Sequence, residues 1–220
     1  YLISKNTRNL LAWLLGIFIA CISTYLISDA ITRQIYDYEQ NSLIWRSISW
    51  TYLLPIPLIL QISSIVTSRA HNSINKICTY ILFIFTFVLI YMSAFTNLLV
   101  DYSNIPTFIE GVGYTNDRGA FFWLISVAVI ISTALSFINY ISAAKSSKTK
   151  RQLVKFILPA ISSILYLLLG PLLVVTYYAQ GDNQLLAINA TPLLLVLPLV
   201  PVVISTLFFG LIGEVEPLFN

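Results

Sequence analysis

Charged residues and histidine are scarce in this chain of 220 residues. Only 10% of the residues are Asp, Glu, Lys or Arg, whereas a soluble globular domain is about a quarter charged. The single histidine, His71, excludes a metal site built from histidines and argues against a Ser-His-Asp triad. The acids lie near the ends of apolar segments, which argues against a proton relay within a membrane. We therefore expect no catalytic activity, no metal site and no cofactor in this chain.

Cysteine is also rare, and neither of the two cysteines belongs to a recognisable motif. Cys21 and Cys78 fall in apolar segments without CxxC or Cys/His spacing, so we expect small buried hydrophobic side chains that carry no information on redox compartment. The net charge of +3 requires no nucleic-acid partner, since the two signs of charge are expected on opposite sides of the membrane.

Apolar residues are abundant instead. They make up 58% of the chain, and the mean hydropathy is +0.85. They form runs that match the roughly 20 helical residues needed to cross a bilayer. Helices are expected because an open sheet cannot satisfy its backbone in lipid. The sequence predicts an all-α polytopic transmembrane helix bundle, a single domain over residues 1–220, with six visible spans at about residues 10–28, 43–67, 77–100, 120–144, 156–179 and 185–212.

The distribution of charge predicts the topology. Cytoplasmic loops next to membrane spans are rich in Lys and Arg, and residues 143–155 carry five such cations between two apolar segments. Placing this loop in the cytoplasm puts nine of the 12 basic residues inside and seven of the nine acids outside. Both ends of the chain are then cytoplasmic. We expect an integral protein of a bacterial inner membrane.

Prolines within the second, fifth and sixth predicted spans indicate kinks. Pro55 and Pro57 lie in the second and Pro159 in the fifth. Neighbouring spans and hydroxyl side chains can supply the hydrogen bonds that a proline removes. The sixth span, with three prolines, is the element that we expect to bend.

Seven residues are candidates for a ligand site, and all lie toward the outer ends of the predicted spans: Trp45, Arg46, Asn97, Asp101, Trp123, Tyr177 and Asn189. The aromatic members either anchor the protein at the membrane interface or line a pocket. The polar members either fasten the bundle or line the same pocket, and Arg46 is expected to pair with Asp101. The long connection at residues 101–119 contains Tyr102 and Tyr114 and is predicted to cover the outer end of the bundle.

Five short features follow one another along the chain. They are Arg8-Asn9 followed by Trp13, Leu43-Ile44-Trp45-Arg46 opening a span that continues through Pro55 and Pro57, a glycine-containing connection ending at Arg118-Gly119, Arg151-Gln152-Leu153 entering the next span, and an exit from the last span between Gly213 and Pro217. This order resembles the seven-span N-terminal sensory region of bacterial sensor histidine kinases and of some cyclic-dinucleotide enzymes. The resemblance implies a receptor whose last helix signals to a cytoplasmic output module, and it implies a further span ahead of Tyr1.

The function expected from these features is that of a sensor in two-component-type signal transduction. Its expected partners are the lipid bilayer, a small or apolar ligand that arrives from the outer side, and a cytoplasmic signalling module or partner protein, with a homodimer left open. The alternative is a non-catalytic structural or accessory subunit of a membrane complex. A transporter is a third alternative, although matched halves with broken helices, which are typical of transporters, are not evident in the sequence.

Overall fold

The computed structural model describes residues 2–70, 72–103, 105–106, 108–110, 112–114, 116–178 and 196–209. His71 and Asn189 lie outside the described residues. The helices are α1 (Leu2–Thr32), α2 (Tyr38–Ser47), α3 (Ser49–Leu53), α4 (Pro55–Val66), α5 (Ser73–Phe95), α6 (Trp123–Lys145), α7 (Lys150–Tyr178) and α8 (Leu199–Phe209). The strands are β1 (Val100–Asp101), β2 (Phe108–Ile109), β3 (Gly113–Tyr114) and β4 (Asp117–Arg118).

Five helical stretches in the described part of the chain are long and apolar enough to cross a membrane. They are Leu10–Thr32, Ser49–Val66, Ser73–Phe95, Trp123–Lys145 and Lys150–Gly170. These stretches overlap the first five predicted spans, and α8 lies within the sixth. The prediction of an all-α polytopic membrane protein is thus confirmed by the length and composition of its helices. We call the end of the bundle that carries the four strands the outer end, and the opposite end, with the α6–α7 connection, the basic end.

The second predicted span is divided into three helices. Asp37 caps the start of α2 by accepting hydrogen bonds at Oδ1 from the amides of Glu39 and Gln40, at 2.9 and 3.2 Å. Helix α3 ends at Leu53 and α4 begins at Pro55, because Pro55 has no amide hydrogen to donate to a carbonyl one turn earlier. The expected kink therefore occurs as a helix boundary. The predicted span of residues 43–67 began too early, because α2 ends at Ser47, the following Ile48 leaves helical geometry, and the stretch that can cross a membrane is Ser49–Val66.

The apolar core forms around α4, which packs against α1, α5 and α6. One buried cluster includes Leu53, Leu60, Leu89 and Ala128, which come from α3, α4, α5 and α6. A second cluster joins residues of α1 and α4, including Phe18. Helix α4 contributes residues to both clusters. It therefore lies at the centre of the core, in contact with α1, α5 and α6.

Buried amide and hydroxyl side chains fasten α4, α5 and α6 toward the basic end. The Asn75 side chain donates to Asn139 Oδ1 over 2.9 Å. The Asn139 amide in turn donates to Ser63 Oγ at 3.2 Å and Ser64 Oγ at 3.3 Å. Ser63 also donates to Ser136 Oγ at 3.2 Å. These are the interhelical hydrogen bonds typical of membrane helices, and they give Ser136 and Asn139 a structural role.

Candidate functional site

Arg46, in the last turn of α2, joins α2 to the end of α5. Its Nη1 donates to the carbonyl oxygens of Ala94 and Thr96, both at 3.3 Å. Its Nη2 donates to Asn97 Oδ1 at 2.6 Å, and the guanidinium carbon lies 4.4 Å from the centroid of the Tyr102 ring. The last carbonyls of a helix have no amide partner within the helix. Arg46 therefore satisfies two carbonyls at the end of α5 and also stacks on the connection that follows.

Arg46 does not form the expected ion pair with Asp101 in the described structure. Asp101 Oδ1 accepts instead from the Ser103 amide at 2.9 Å and from Ser103 Oγ at 2.6 Å. These two bonds, of which the hydroxyl bond has the larger effect, hold the pKa of Asp101 below its ordinary value of 3.8. The end of α5 offers Arg46 several oxygens at once, and Asp101 has local donors, so each side chain is satisfied without the other.

Burial raises the pKa of Tyr102, and it also raises the pKa of Tyr38, where the nearby Asp101 charge adds to the effect. Both phenols are protonated at neutral pH, as any ordinary tyrosine is, and the raised pKa values extend this state further into the alkaline range. The Tyr38 hydroxyl donates to Asn116 Oδ1 at 2.8 Å.

Residues 100–118, which contain the four strands, form an outer cap over the bundle. Strands β1 and β4 pair antiparallel, with Val100 opposite Arg118 and Asp101 opposite Asp117. Strands β2 and β3 pair antiparallel as well, with Phe108 opposite Tyr114. The cap is thus two short ribbons within the longest connection of the chain.

Four aromatic residues join the outer cap to the α1–α2 connection. The ring of Phe108 lies 4.4 Å from that of Tyr36 and 5.1 Å from that of Tyr114, between centroids. Tyr114 also lies 5.0 Å from Tyr38, edge to face, and donates a hydrogen bond to the carbonyl of Tyr36. The prediction that this connection packs down through its aromatic residues is confirmed for Tyr114. Tyr36 and Tyr38 were not among the predicted residues, although two tyrosines in a polar connection indicate that the connection packs against something.

Gly119 permits the cap to return close to the end of α5. A Cβ atom at this position would lie 2.2 Å from the carbonyl oxygen of Leu98 and 2.5 Å from that of Asn97. The Gly119 amide donates to Leu99 O at 2.9 Å, and the Phe121 amide donates to Leu98 O at 2.9 Å. Only glycine allows this approach of two backbones. The Arg118-Gly119 pair thus has a structural reason, because it closes the outer cap.

Trp45 is the first of three aromatic residues that contact one another in series within the bundle. Its ring lies 5.9 Å from that of Tyr25 on α1, and Tyr25 lies 6.2 Å from Tyr52 on α3. The Tyr52 hydroxyl is 2.7 Å from Ser93 Oγ on α5. Trp45 itself contacts α1, and this series of contacts links α2, α1, α3 and α5.

The remaining predicted site residues are not brought to Arg46 by any contact that the described residues make. Trp123 is the first residue of α6 and is 49% exposed, as expected for an aromatic residue at the membrane interface. Tyr177 lies in the last turn of α7, and its side chain is outside the described part. Among the described residues, no three His, Cys, Asp or Glu side chains are grouped so as to hold a metal ion.

Comparison with known proteins adds no relative. No protein-family model, curated protein or solved structure matches the chain.

Proposed function

We propose that this chain is a membrane-embedded sensor domain, which detects a small or apolar ligand at its outer end and relays binding through its last helix to a cytoplasmic module. The observation that supports this proposal best is the connection of the outer cap to several helices. Tyr36 and Tyr38 link the cap to α1 and α2, and Arg46 links α2 to the end of α5. A ligand that displaced the cap would therefore act on three helices together.

The last helix would supply the relay. Helix α8 is attached to α7 by Ser205, which donates to the carbonyl of Lys155 at 2.7 Å, and by the Ser162 hydroxyl, which donates to the carbonyl of Pro198. The first bond reaches the carbonyl that Pro159 leaves without its helical amide donor, and the second reaches the carbonyl of the turn residue that precedes α8. A ligand shifts such an element only if it binds one arrangement of the bundle more tightly than another.

A disulfide across the outer cap tests the relay without a known ligand. Asp101 and Asp117 are cross-strand partners, and such partners lie about 4.5–5.5 Å apart between Cα atoms, within the range of a disulfide. The Asp101→Cys, Asp117→Cys protein would be made in a Cys21→Ala, Cys78→Ala background and reconstituted in lipid nanodiscs. Hydrogen–deuterium exchange at residues 199–209 would be compared before and after oxidation.

The proposal expects oxidation to change exchange in α8, since the cap and the last helix would be coupled. The single Asp117→Cys variant, treated with the same oxidant, is the matched control and should show no change. Equal exchange in oxidised and reduced double-cysteine protein would contradict the relay and would favour an accessory subunit.

The exposed face of α5 is the feature that the accessory-subunit alternative would use. Seven of its apolar side chains are 57–67% exposed: Ile74, Ile77, Tyr80, Ile81, Ile84, Phe87 and Tyr91. This stripe faces either lipid or a partner helix. Mass measurement of the complex extracted under mild conditions separates the two hypotheses, because an accessory subunit would be recovered in a stoichiometric assembly with another protein.

A further inference from the structure

A cleft of about 310 Å³ opens at the basic end of the bundle. It lies between the end of α4 and the α6–α7 connection. Its walls include Ser68 and Arg69 after α4, Ser142 and Ser146 around the end of α6, and Gln152 in the first turn of α7. Val66 and Phe156 provide apolar walls on two sides. The cleft is therefore polar and basic in part, with apolar surface beside it.

The end of α4 fixes the backbone on which Arg69 stands. The Arg69 amide donates to Ser64 O at 2.7 Å, and the Ser68 amide donates to Ile65 O at 3.0 Å. This pair of bonds is the Schellman arrangement, which usually places glycine at the left-handed position. Here Ser68 has a φ of 59°. The chain tolerates a non-glycine residue in a conformation that costs about 1 kcal/mol or more, and the turn directs residue 69 to the cleft.

Gln152 is held in place by the start of α7. Its backbone amide donates to Thr149 Oγ1 at 3.2 Å. Its side-chain Oε1 accepts from the Lys148 backbone amide at 3.1 Å. The side-chain carbonyl oxygen thus has a donor, and among the described residues the Nε2 group has no hydrogen-bond acceptor. Arg69 follows α4 and Gln152 lies in α7, so N–H donors on both elements belong to the lining of the cleft.

The charge around the cleft is positive. Among the described residues, the Arg69 guanidinium makes no ion pair or hydrogen bond. Four exposed cations lie in or beside the α6–α7 connection, whose Ser146 and Ser147 line the cleft: Lys145, Lys148, Lys150 and Arg151. The acids in the described part of the chain are all at the outer end. The ends of α4 and α6 oppose this field with about half a negative charge each, which is less than the charge of the cations.

We propose that this cleft binds a phosphate group, with Arg69 and the Gln152 Nε2 group as the donors. Arginine pairs with phosphate through two parallel N–H donors, and basic pockets between membrane helices at the cytoplasmic side are suited to phospholipid headgroups. Val66 and Phe156 would contact the glycerol and first acyl carbons of such a lipid. The same donors would accept a soluble phosphate ester, so the ligand chemistry is a phosphate anion from either source.

Binding of short-chain phosphatidylglycerol and short-chain phosphatidylcholine to the purified chain tests this site. The chain would be kept in a non-ionic detergent, and dissociation constants would be measured by native mass spectrometry. Phosphatidylglycerol should bind the wild-type chain more tightly than phosphatidylcholine does. Arg69→Gln should weaken phosphatidylglycerol binding by about tenfold or more, as expected for loss of a charge-assisted hydrogen bond.

Lys76→Gln is the matched control, because it removes one positive charge from the same end of the bundle outside the cleft. It should weaken binding by less than about threefold, the effect of an exposed charge. Ser146→Phe fills the cleft from an exposed position without changing charge, and it too should weaken phosphatidylglycerol binding. This variant keeps the test decisive if Arg69→Gln fails to fold.

Equal losses in Arg69→Gln and Lys76→Gln, or equal binding of the two lipids to the wild-type chain, would overturn the proposal. Competition by inorganic phosphate identifies the source of the ligand. Displacement of phosphatidylglycerol that depends on Arg69 would support the site and assign it to soluble phosphate esters. Failure of phosphate to displace a lipid that still requires Arg69 would assign the site to a lipid headgroup.

Discussion

Ser205 donates its hydroxyl hydrogen to the carbonyl oxygen of Lys155, 2.7 Å away on the neighbouring helix. In an uninterrupted α-helix this carbonyl accepts from the amide four residues later, and in α7 that residue is Pro159. The Ser205 hydroxyl on α8 thus supplies the hydrogen-bond donor that Pro159 lacks. Ser205 is fully buried, so water is a poor substitute for it.

Ser205→Ala should lower the free energy of unfolding by about 0.5–1.5 kcal/mol, the usual net value of one hydrogen bond. In a Pro159→Ala background the same substitution should cost little, because the new amide at residue 159 would satisfy the Lys155 carbonyl. Reversible unfolding in mixed micelles would measure both values.

The four proteins form a double-mutant cycle, and the coupling energy between positions 159 and 205 is the informative quantity. An identical cost of Ser205→Ala with proline and with alanine at residue 159 would show that the hydroxyl bond does not compensate for the proline.

Gly119→Ala should lower the free energy of unfolding by about 1–3 kcal/mol, as expected when a tightly packed site must shift. The added methyl group would meet the backbone of Leu98 at 2.2 Å, and backbone cannot move aside as a side chain can. Thermal unfolding in nanodiscs, followed by near-ultraviolet circular dichroism, would report the loss.

Gly16→Ala on α1 is the control for this substitution. Nothing lies within 4 Å of a Cβ atom at Gly16, and alanine is favoured over glycine within a helix by up to about 1 kcal/mol. The two substitutions should therefore change stability in opposite directions, and a comparable loss in both would contradict the explanation from close packing.

Acidification should destabilise the outer cap through Asp101. Its pKa in the folded protein is below the ordinary value of 3.8, so its carboxylate stabilises the folded state above that pH. The stabilisation is lost as the pH falls below 3.8 and through the lower pKa of the folded state. Ser103→Ala removes the strongest bond to the carboxylate and should reduce the fall in Tm between pH 6 and pH 3.

Ser42→Ala is the matched control for the pH experiment, because Ser42 donates to the carbonyl of Glu39 at 3.0 Å and to no carboxylate. Its pH dependence should equal that of the wild-type chain. An unchanged pH dependence in Ser103→Ala would exclude the Ser103 hydroxyl as the cause of the lowered pKa.

The sequence predicted the spans well because hydropathy depends on runs of about 20 residues, as in Ser73–Phe95. The break at Leu54 was also predictable in kind, since Pro55 and Pro57 follow it. The separate helix α2 was not predicted, although Asp37 followed by Glu39 is a helix-start pattern. The start of the second span was instead placed at Leu43, where the apolar run begins.

The candidate site was predicted less well, because its contacts depend on how distant segments meet. Arg46 was predicted to pair with Asp101, yet its partners include the carbonyls of Ala94 and Thr96, which any residue type could provide. Because backbone carbonyls carry no signal in the sequence, the nearest recognisable partner for Arg46 was the charged residue Asp101. The cleft beside Arg69 was not foreseen, since it depends on the left-handed turn at Ser68.

The aromatic contact between the outer cap and the α1–α2 connection has a consequence for biosynthesis. Tyr38 and its partner Asn116 are 78 residues apart, as are Tyr36 and Tyr114. At synthesis rates of about 5–20 residues per second, the ribosome needs roughly 4–16 s to make that length of chain. During this interval the α1–α2 connection lacks the residues that pack on it. A nascent chain arrested before Asn116 would therefore lack the acceptor for the Tyr38 hydroxyl, and formation of this hydrogen bond marks the moment at which the outer end of the bundle is complete.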